Sequence, residues 1–209
     1  MRRPPLSSNN SRESAPHDTG LSEPPVTIKM KKRGSMIEKA ARLSRQWHEG
    51  QLDKAGKDYW THPARVAANL RTLLGMSELS EMQEESAVCA AYLHDVVEDC
   101  GVTPDELSDQ GFSKETIAAI LLVSKNHGFT NIEDYCARIT EDPIARIVKL
   151  ADLSDNCNLQ RQSELRSQGI EVDETKYPKV LAMLNPSEQE ISWFQATIRL
   201  PVTALNETS

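Results

Sequence analysis

The chain has 209 residues, which is enough for one domain with a sizeable core, and a formal net charge of −7. This acidic balance argues against broad binding to nucleic acids or to membrane surfaces. No stretch approaches about 18 consecutive apolar residues, so we expect no membrane span, and four cysteines without a CxxC pair indicate the reduced thiols of a cytoplasmic protein.

Residues 1–34 predict a disordered N-terminal tail. The segment is rich in Pro, Ser and Asn and has few large apolar side chains. It cannot bury enough apolar surface to offset the entropy lost on ordering. We therefore expect the folded domain to cover residues 35–200.

From residue 35 onward, apolar residues recur with helical spacing and β alternation is lacking, so we predict an all-α fold. Ser35 with Glu38 suits the capping box of a first helix that ends near His48. Pro63 suits the first turn of a second helix, which reaches Leu74. The further predicted helices lie at about 81–99, from 103, at 113–125, 131–139, 142–156, 174–184 and 187–197.

The segment AAYLHDVVED, residues 90–99, places four polar groups in an apolar helix. His94 and Asp95 are followed one turn later by Glu98 and Asp99, and positions four apart share a helix face. Burying these groups among Ala, Leu and Val is costly unless something pairs with them. A divalent metal would do so, whereas the alternative is an exposed, charged helix end.

Two other segments offer further metal ligands. His62 stands at the start of the second predicted helix, although a lone histidine there is more often a capping or surface residue. In KLADLSDN, residues 149–156, Asp152 is surrounded by apolar residues and needs a partner. With His94 and Asp95 these residues make two imidazoles and two carboxylates. Such a mixed set suits Mn²⁺, with Fe²⁺ or another divalent metal as the other candidates, and leaves positions for water and substrate.

Four segments, HEGQLDKAG, YWTHPARVA, LHDVVEDCGVTPDEL and RIVKLADLSDN, occur in the order typical of the HD phosphohydrolase superfamily, which the chain resembles. More closely, they are similar to the hydrolase domain of Rel/Spo alarmone proteins and to stand-alone Mesh-type small alarmone hydrolases. The similarity covers about residues 36–177. It implies that the all-α domain is an HD-domain helical bundle.

The resemblance also implies roles for individual residues. The metal ligands would be His62, His94, Asp95 and Asp152. The catalytic pair would be Glu98 and Asp99, which match residues associated in the family with activating and steering the attacking water. Lys54 and Asn156 match positions near the nucleotide. Lys176 and Tyr177 would add a cation and an aromatic ring at the edge of the pocket, although such a pair is also typical of a solvated helix start.

The reaction implied by the resemblance is hydrolysis of the 3′-pyrophosphate of (p)ppGpp by a metal-activated water, which gives GDP or GTP and pyrophosphate. We expect a monomer or a homodimer with a nucleotide substrate.

Asp53 stands where the long enzymes carry an arginine associated with the base, and Asp155 stands where they carry a histidine. Asp53 favours an alternative, an HD-type phosphatase acting on another nucleotide, such as a dinucleotide phosphate or a nucleoside phosphate. A third reading, a binding module without catalysis, would be expected to lack a metal ligand, and none is missing.

Overall fold

The computed structural model describes residues 34–125, 128–173 and 176–200, without the side chains of residues 34, 35 and 176, and this part of the chain forms eleven α-helices. They are α1 (Gly34–Trp47), α2 (Thr61–Leu74), α3 (Glu81–Leu93), α4 (Val96–Asp99), α5 (Pro104–Asp109), α6 (Lys114–Val123), α7 (Ile132–Glu141), α8 (Pro143–Asn156), α9 (Leu159–Ser167), α10 (Lys176–Met183) and α11 (Glu188–Thr197). The predicted all-α fold is confirmed. An isolated bridge between Leu52 and Asp58 is the one β feature in the described ranges.

The predicted tail lies outside the described residues up to position 33, and the side chain of Ser35, which was predicted to cap α1, lies outside them as well. Within the described ranges, no helix combines the length and the apolar character that crossing a bilayer requires.

Helices α2, α3 and α8 pack against one another at the centre of the domain, while α1 covers α3 and α6 covers α3 and α8. Their facing surfaces bury large side chains such as Leu70, Leu93 and Leu150. Small residues, including the fully buried Ala90 and Ala151, separate these large ones. Small side chains at a contact let helix axes approach closely, so polar groups on the three helices can meet at one point.

Side-chain caps begin most of the helices that the sequence predicts. Thr103, Ser113 and Ser187 each accept a hydrogen bond from a backbone N–H of the first turn of α5, α6 and α11. Asp142 accepts from the N–H of Ala145 at the start of α8, where proline occupies the first position. These bonds satisfy amides that have no partner within the helix, and they fix where each helix begins.

The predicted continuous helix over residues 81–99 is wrong, because the chain forms two helices that meet at His94 and Asp95. The backbone of Asp95, at φ −100° and ψ −6°, lies in the sparsely populated bridge region. The imidazole of His94 donates its Nδ1–H to the carbonyl oxygen of Ala91 at 2.9 Å, and this oxygen is the acceptor that the Asp95 N–H would use in a continuous helix. The histidine ring thus bonds to the helix at the point where the helix is interrupted.

Helix α9 was absent from the predicted elements. Its sequence, LQRQSELRS, has two apolar residues and no helical period, and its buried side chains are Gln162 and Leu165. Asn158 caps it by accepting from the N–H of Arg161 at 3.1 Å, and this cap was the available sequence signal. Tertiary contacts, including a buried ion pair of Arg161, hold the helix in place.

Candidate metal centre

Four side chains predicted as metal ligands converge where α2, α8 and the bend between α3 and α4 meet. His62 Nε2 lies 3.3 Å from Asp152 Oδ1 and 3.6 Å from Asp95 Oδ2. His94 Nε2 lies 3.0 Å from Asp95 Oδ2 and 3.8 Å from Asp152 Oδ1. Residues that are distant in sequence thus present two imidazole nitrogens and two carboxylates to one point.

The chemistry of this cluster fits a divalent metal. The ligand atoms of His62, His94 and Asp95 all lie within 4.8 Å of one another. The ring of His94 is 4% exposed, and its Nε2 is buried without a hydrogen-bond partner. Buried polar atoms are nearly always satisfied, so a buried imidazole nitrogen that makes no hydrogen bond and faces two carboxylates fits the role of a ligand to a divalent cation.

The orientation of His62 is set by a residue on α8. Its Nδ1–H donates to Asp155 Oδ2 at 2.7 Å, which directs Nε2 toward Asp95 and Asp152. Histidines that bind metals usually donate the other ring N–H to a carboxylate in this way. Burial lowers the pKa of His62, but hydrogen bonds with Asp152 and Asp155 and the charges of these carboxylates outweigh burial and raise it to about 9.

Both oxygens of Asp152 are held by neighbours on the same helix. Lys149 Nζ lies 2.8 Å from Oδ2, and Asn156 donates from Nδ2 to Oδ1 at 2.6 Å. Burial would raise the pKa of Asp152, yet the charge of Lys149 and the two imidazoles hold it well below its usual value. Sequence reasoning missed Lys149, and the signal was a cation three residues before Asp152 in an apolar helix.

Asp95 is held by the loop that precedes α2. The hydroxyl of Tyr59 donates to Asp95 Oδ2 at 2.7 Å, and the Tyr59 ring lies against the ring of the buried His48, with 4.9 Å between the centroids. Burial, followed by the Asp95 charge, raises the pKa of Tyr59 well above its ordinary value, so this phenol stays protonated and donates.

A cavity of about 410 Å³ opens over the cluster. The other predicted site residues that line it are Lys54, Glu98, Asp99, Asn156 and Tyr177. The side chain of Lys176 lies outside the described residues. The structure therefore brings five of the six predicted catalytic and substrate-binding residues to the same cavity as three of the four predicted ligands, His62, Asp95 and Asp152, while His94 is buried beside them and the roles of all these residues remain predictions.

The two acidic residues predicted as catalytic have different surroundings. Glu98 accepts from the backbone N–H of Lys125 at 2.9 Å and from its Nζ at 3.3 Å, so it holds the segment that follows α6. Burial, then the charge of Asp95, raises the pKa of Asp99 above its ordinary value. A carboxyl with a raised pKa beside the cluster is suited to hold a proton during a reaction.

Comparisons with known proteins show which family model and which relatives parts of this chain are similar to. Residues 40–115 match the family model described as HD domain. The chain is 32% identical to a probable GTP pyrophosphokinase of Mycobacterium leprae over 61% of its length and 16% of that protein. It is 30% identical to the guanosine-3′,5′-bis(diphosphate) 3′-pyrophosphohydrolases of Haemophilus influenzae and Aquifex aeolicus, over 54% and 57% of its length and 17% of each enzyme. The chain thus spans about a sixth of the length of these relatives.

We expect that His94→Ala abolishes metal retention, because one nitrogen donor of the cluster is lost. Asp152→Ala should do the same, but it also leaves the buried Lys149 unpaired, so His94→Ala is the cleaner variant. Metal content of the purified proteins by plasma mass spectrometry measures the effect, and circular dichroism checks the fold. Asp134→Ala, which removes a carboxylate that does not line the cavity, serves as the control. Wild-type metal content in His94→Ala would contradict the site.

We expect metal binding to release protons and to weaken as the pH falls. With a pKa of about 9, His62 carries a second proton at neutral pH in the metal-free protein, whereas a ligand nitrogen must be unprotonated. From about pH 8 to about pH 6, the apparent affinity should fall by up to about tenfold per pH unit for each displaced proton. Calorimetry in two buffers of different ionisation enthalpy counts these protons. An affinity for Mn²⁺ that is independent of pH would show that metal binding displaces no proton from His62.

Proposed function

We propose that this chain, whose HD domain resembles the hydrolase domain of Rel/Spo alarmone proteins, is a metal-dependent phosphohydrolase that removes the 3′-pyrophosphate from (p)ppGpp. The products would be GDP or GTP and pyrophosphate. The observation that carries the proposal is the convergence of His62, His94, Asp95 and Asp152 at a cavity whose volume lies within the range of small-molecule sites.

The metal that we propose is Mn²⁺, with Fe²⁺ as the next candidate, held by His62, His94, Asp95 and Asp152. Mixed imidazole and carboxylate ligands support this choice over structural zinc, which prefers thiolates, and over Mg²⁺, which prefers oxygen. When bound, such an ion supplies Lewis acidity toward a phosphoryl oxygen and makes hydroxide available near neutral pH.

The surrounding residues hold the ligands before substrate arrives. Asp155 orients His62, Lys149 and Asn156 hold Asp152, and Tyr59 holds Asp95. Ligands that are fixed in this way need no rearrangement during the reaction, which favours the transition state.

The carboxylates above the cluster would handle protons and position water. The water oxygen would attack the phosphorus that is bonded to the 3′ oxygen. A bond forms between the water oxygen and this phosphorus, and the bond between this phosphorus and the 3′ oxygen breaks. A water proton passes to a base, and the 3′ oxygen gains a proton. We assign the proton-holding role to Asp99, because burial and Asp95 raise its pKa. Glu98 would fix the segment around Lys125 at the rim of the cavity and so help to steer the water.

Nucleotide contacts would come from both polar and apolar walls of the cavity. Lys54 and Lys125 supply cations for phosphates, and Asn156 lies one turn beyond Asp152. Tyr177 is half-buried and lines the cavity together with Val180, which gives a flat apolar surface against which a base can stack. We propose Lys176, which precedes this tyrosine on α10, as a further cation for the substrate.

The alternative of a phosphatase that acts on another nucleotide rests on the missing arginine at position 53. Asp53 itself does not supply a free negative charge to repel guanine. Its Oδ1 accepts from the N–H groups of Ala55 and Lys57, its Oδ2 lies 3.5 Å from a guanidinium nitrogen of Arg161, and the side chain is 4% exposed. The alternative therefore depends on the loss of the arginine alone.

The setting that we propose is the cytoplasm, with the chain acting as a monomer or homodimer on nucleotides and not on nucleic acid. The four cysteines, Cys89, Cys100, Cys136 and Cys157, are free thiols, which suits a reducing compartment. The net charge of −7 supports the absence of a nucleic-acid partner.

A panel of nucleotides with Mn²⁺ tests the proposed reaction. We expect ppGpp and pppGpp to be hydrolysed with one pyrophosphate released per nucleotide, and dinucleotide phosphates and nucleoside monophosphates to be poor substrates. Ion-exchange chromatography of the products together with separate assays for phosphate and pyrophosphate measures this, and His94→Ala is the inactive control. Faster release of inorganic phosphate from another nucleotide would favour the alternative phosphatase.

We expect Glu98→Gln and Asp99→Asn to retain metal but to lower kcat by about 10²–10⁴-fold, the usual contribution of a positioned acid or base. The amide of Glu98→Gln still accepts from the Lys125 N–H, so the rim segment should keep its place. Steady-state kinetics together with metal content separate the two effects, and Glu141→Gln on the exposed end of α7 is the matched control. If both variants turned over at the wild-type rate, neither residue would be catalytic.

A further inference from the structure

A buried chain of alternating charges runs beside the metal centre, from α2 through α8 and α9 to the loop before α2. Arg65 binds Asp155 with two nitrogens, at 2.6 Å and 3.0 Å. Arg161 lies 3.1 Å from the same carboxylate through one guanidinium nitrogen and 3.5 Å from Asp53 through another. The four side chains are between 2% and 13% exposed, so all four charges are largely removed from water.

This buried chain of charges contains Asp53 and Asp155, two of the residues at which the sequence departs from the pattern of the long Rel/Spo enzymes. Two carboxylates face two guanidiniums, so the charges of these four side chains cancel one another. An arginine at position 53 would bring a second cation against Arg161. A histidine at position 155 would leave Arg65 and Arg161 without their shared carboxylate, and an unpaired buried charge is costly. The departures therefore compensate each other through Arg161.

We infer that Asp155 and Arg161 are positioning residues that fix His62 and the 51–59 loop together, and that Asp53 serves as the loop's anchor and not as a reader of the nucleotide base. This inference rests on the proposed metal site.

Asp155 orients the imidazole of His62 by accepting a hydrogen bond from its Nδ1–H. The two Asp155 oxygens receive His62 Nδ1–H, two Arg65 nitrogens and one Arg161 nitrogen, so the carboxylate cannot rotate without losing several charge-assisted bonds. The imidazole is thereby fixed with Nε2 toward Asp152. A ligand that is already oriented binds metal more tightly than one that must give up rotational freedom.

The side chain of Asp53 holds the 51–59 loop by hydrogen bonds to the loop backbone. Its Oδ1 accepts from the N–H groups of two loop residues, Ala55 and Lys57, both at 2.9 Å. Its Oδ2 faces Arg161 on α9. Because Arg161 also contacts Asp155 on α8, this arginine links the loop to the helix that carries Asp152. The same loop carries Lys54 and ends at Tyr59, which donates to Asp95. The loop therefore reaches both the cavity and the metal cluster.

The test compares Mn²⁺ affinity in Asp155→Leu, Asp155→Asn and Arg161→Met by calorimetry, with amide hydrogen exchange of residues 51–59 and thermal unfolding as parallel measurements. Arg146→Met is the matched control, because Arg146 forms a comparable half-buried ion pair with Glu190 and does not line the cavity. Asp155→Asn retains an oxygen that can accept from His62, so it should recover part of what Asp155→Leu loses.

We expect Asp155→Leu to weaken Mn²⁺ binding by about 10–100-fold, the usual effect of losing the partner of a metal-binding histidine, with Asp155→Asn in between. Arg161→Met should speed exchange of the Ala55 and Lys57 amides, while Arg146→Met should change neither quantity. Wild-type affinity in a folded Asp155→Leu, or unchanged exchange in Arg161→Met, would overturn the inference and leave the metal site standing. A wild-type protein that binds no Mn²⁺ would overturn both.

If Asp155→Leu does not fold, the role of Asp155 in orienting His62 can be tested on the wild-type protein. Nitrogen NMR of ¹⁵N-histidine-labelled, Zn²⁺-loaded protein reports which ring nitrogen of His62 carries the proton. We expect a proton on Nδ1 and metal on Nε2, and the opposite pattern would refute the role of Asp155.

Discussion

The cost of burying charge in a helical core is the constraint on which the rest of this structure depends. The crossing of α2, α3 and α8 is packed with Leu and Ala, yet it also encloses two imidazoles and several carboxylates. Each carboxylate there has a cation or a donor within hydrogen-bond distance: Asp152 has Lys149, Asp155 has Arg65, and Asp95 has a tyrosine hydroxyl. These pairings offset desolvation and leave one direction, toward the cavity, for a further cation.

The helices that were predicted well are those whose signals lie within a few residues. Thr103 and Asp142 cap their own first turns, so the starts of α5 and α8 could be predicted from neighbouring residues. The bend at His94 could not, because residues 90–99 contain no glycine or proline that would mark a break in the helix. Helix α9 was not predicted, because its buried side chains are a glutamine and a leucine, and these two residues do not form a helical pattern of apolar positions.

The candidate site shows the same division between local and tertiary information. Residue type and spacing placed four candidate ligands on three segments, and the structure brings them together. The partners that orient them could not be paired in advance, because Asp155 meets His62 across 93 positions of sequence and Arg65 across 90. A charged residue inside an apolar run, such as Lys149, was the signal that a partner existed, but it did not identify that partner.

The cap at Asp142 has a consequence for the length of α8. Each residue added to or removed from a helix turns everything beyond it by about 100° and shifts it by about 1.5 Å. Because the capped start sets the phase of the helix, a one-residue deletion between Asp142 and Lys149 would turn Asp152 away from the imidazoles and put Leu153 in its place. The spacing along these nearly three turns, from Asp142 to Asp152, is therefore as strictly constrained as the identity of the acid at its end.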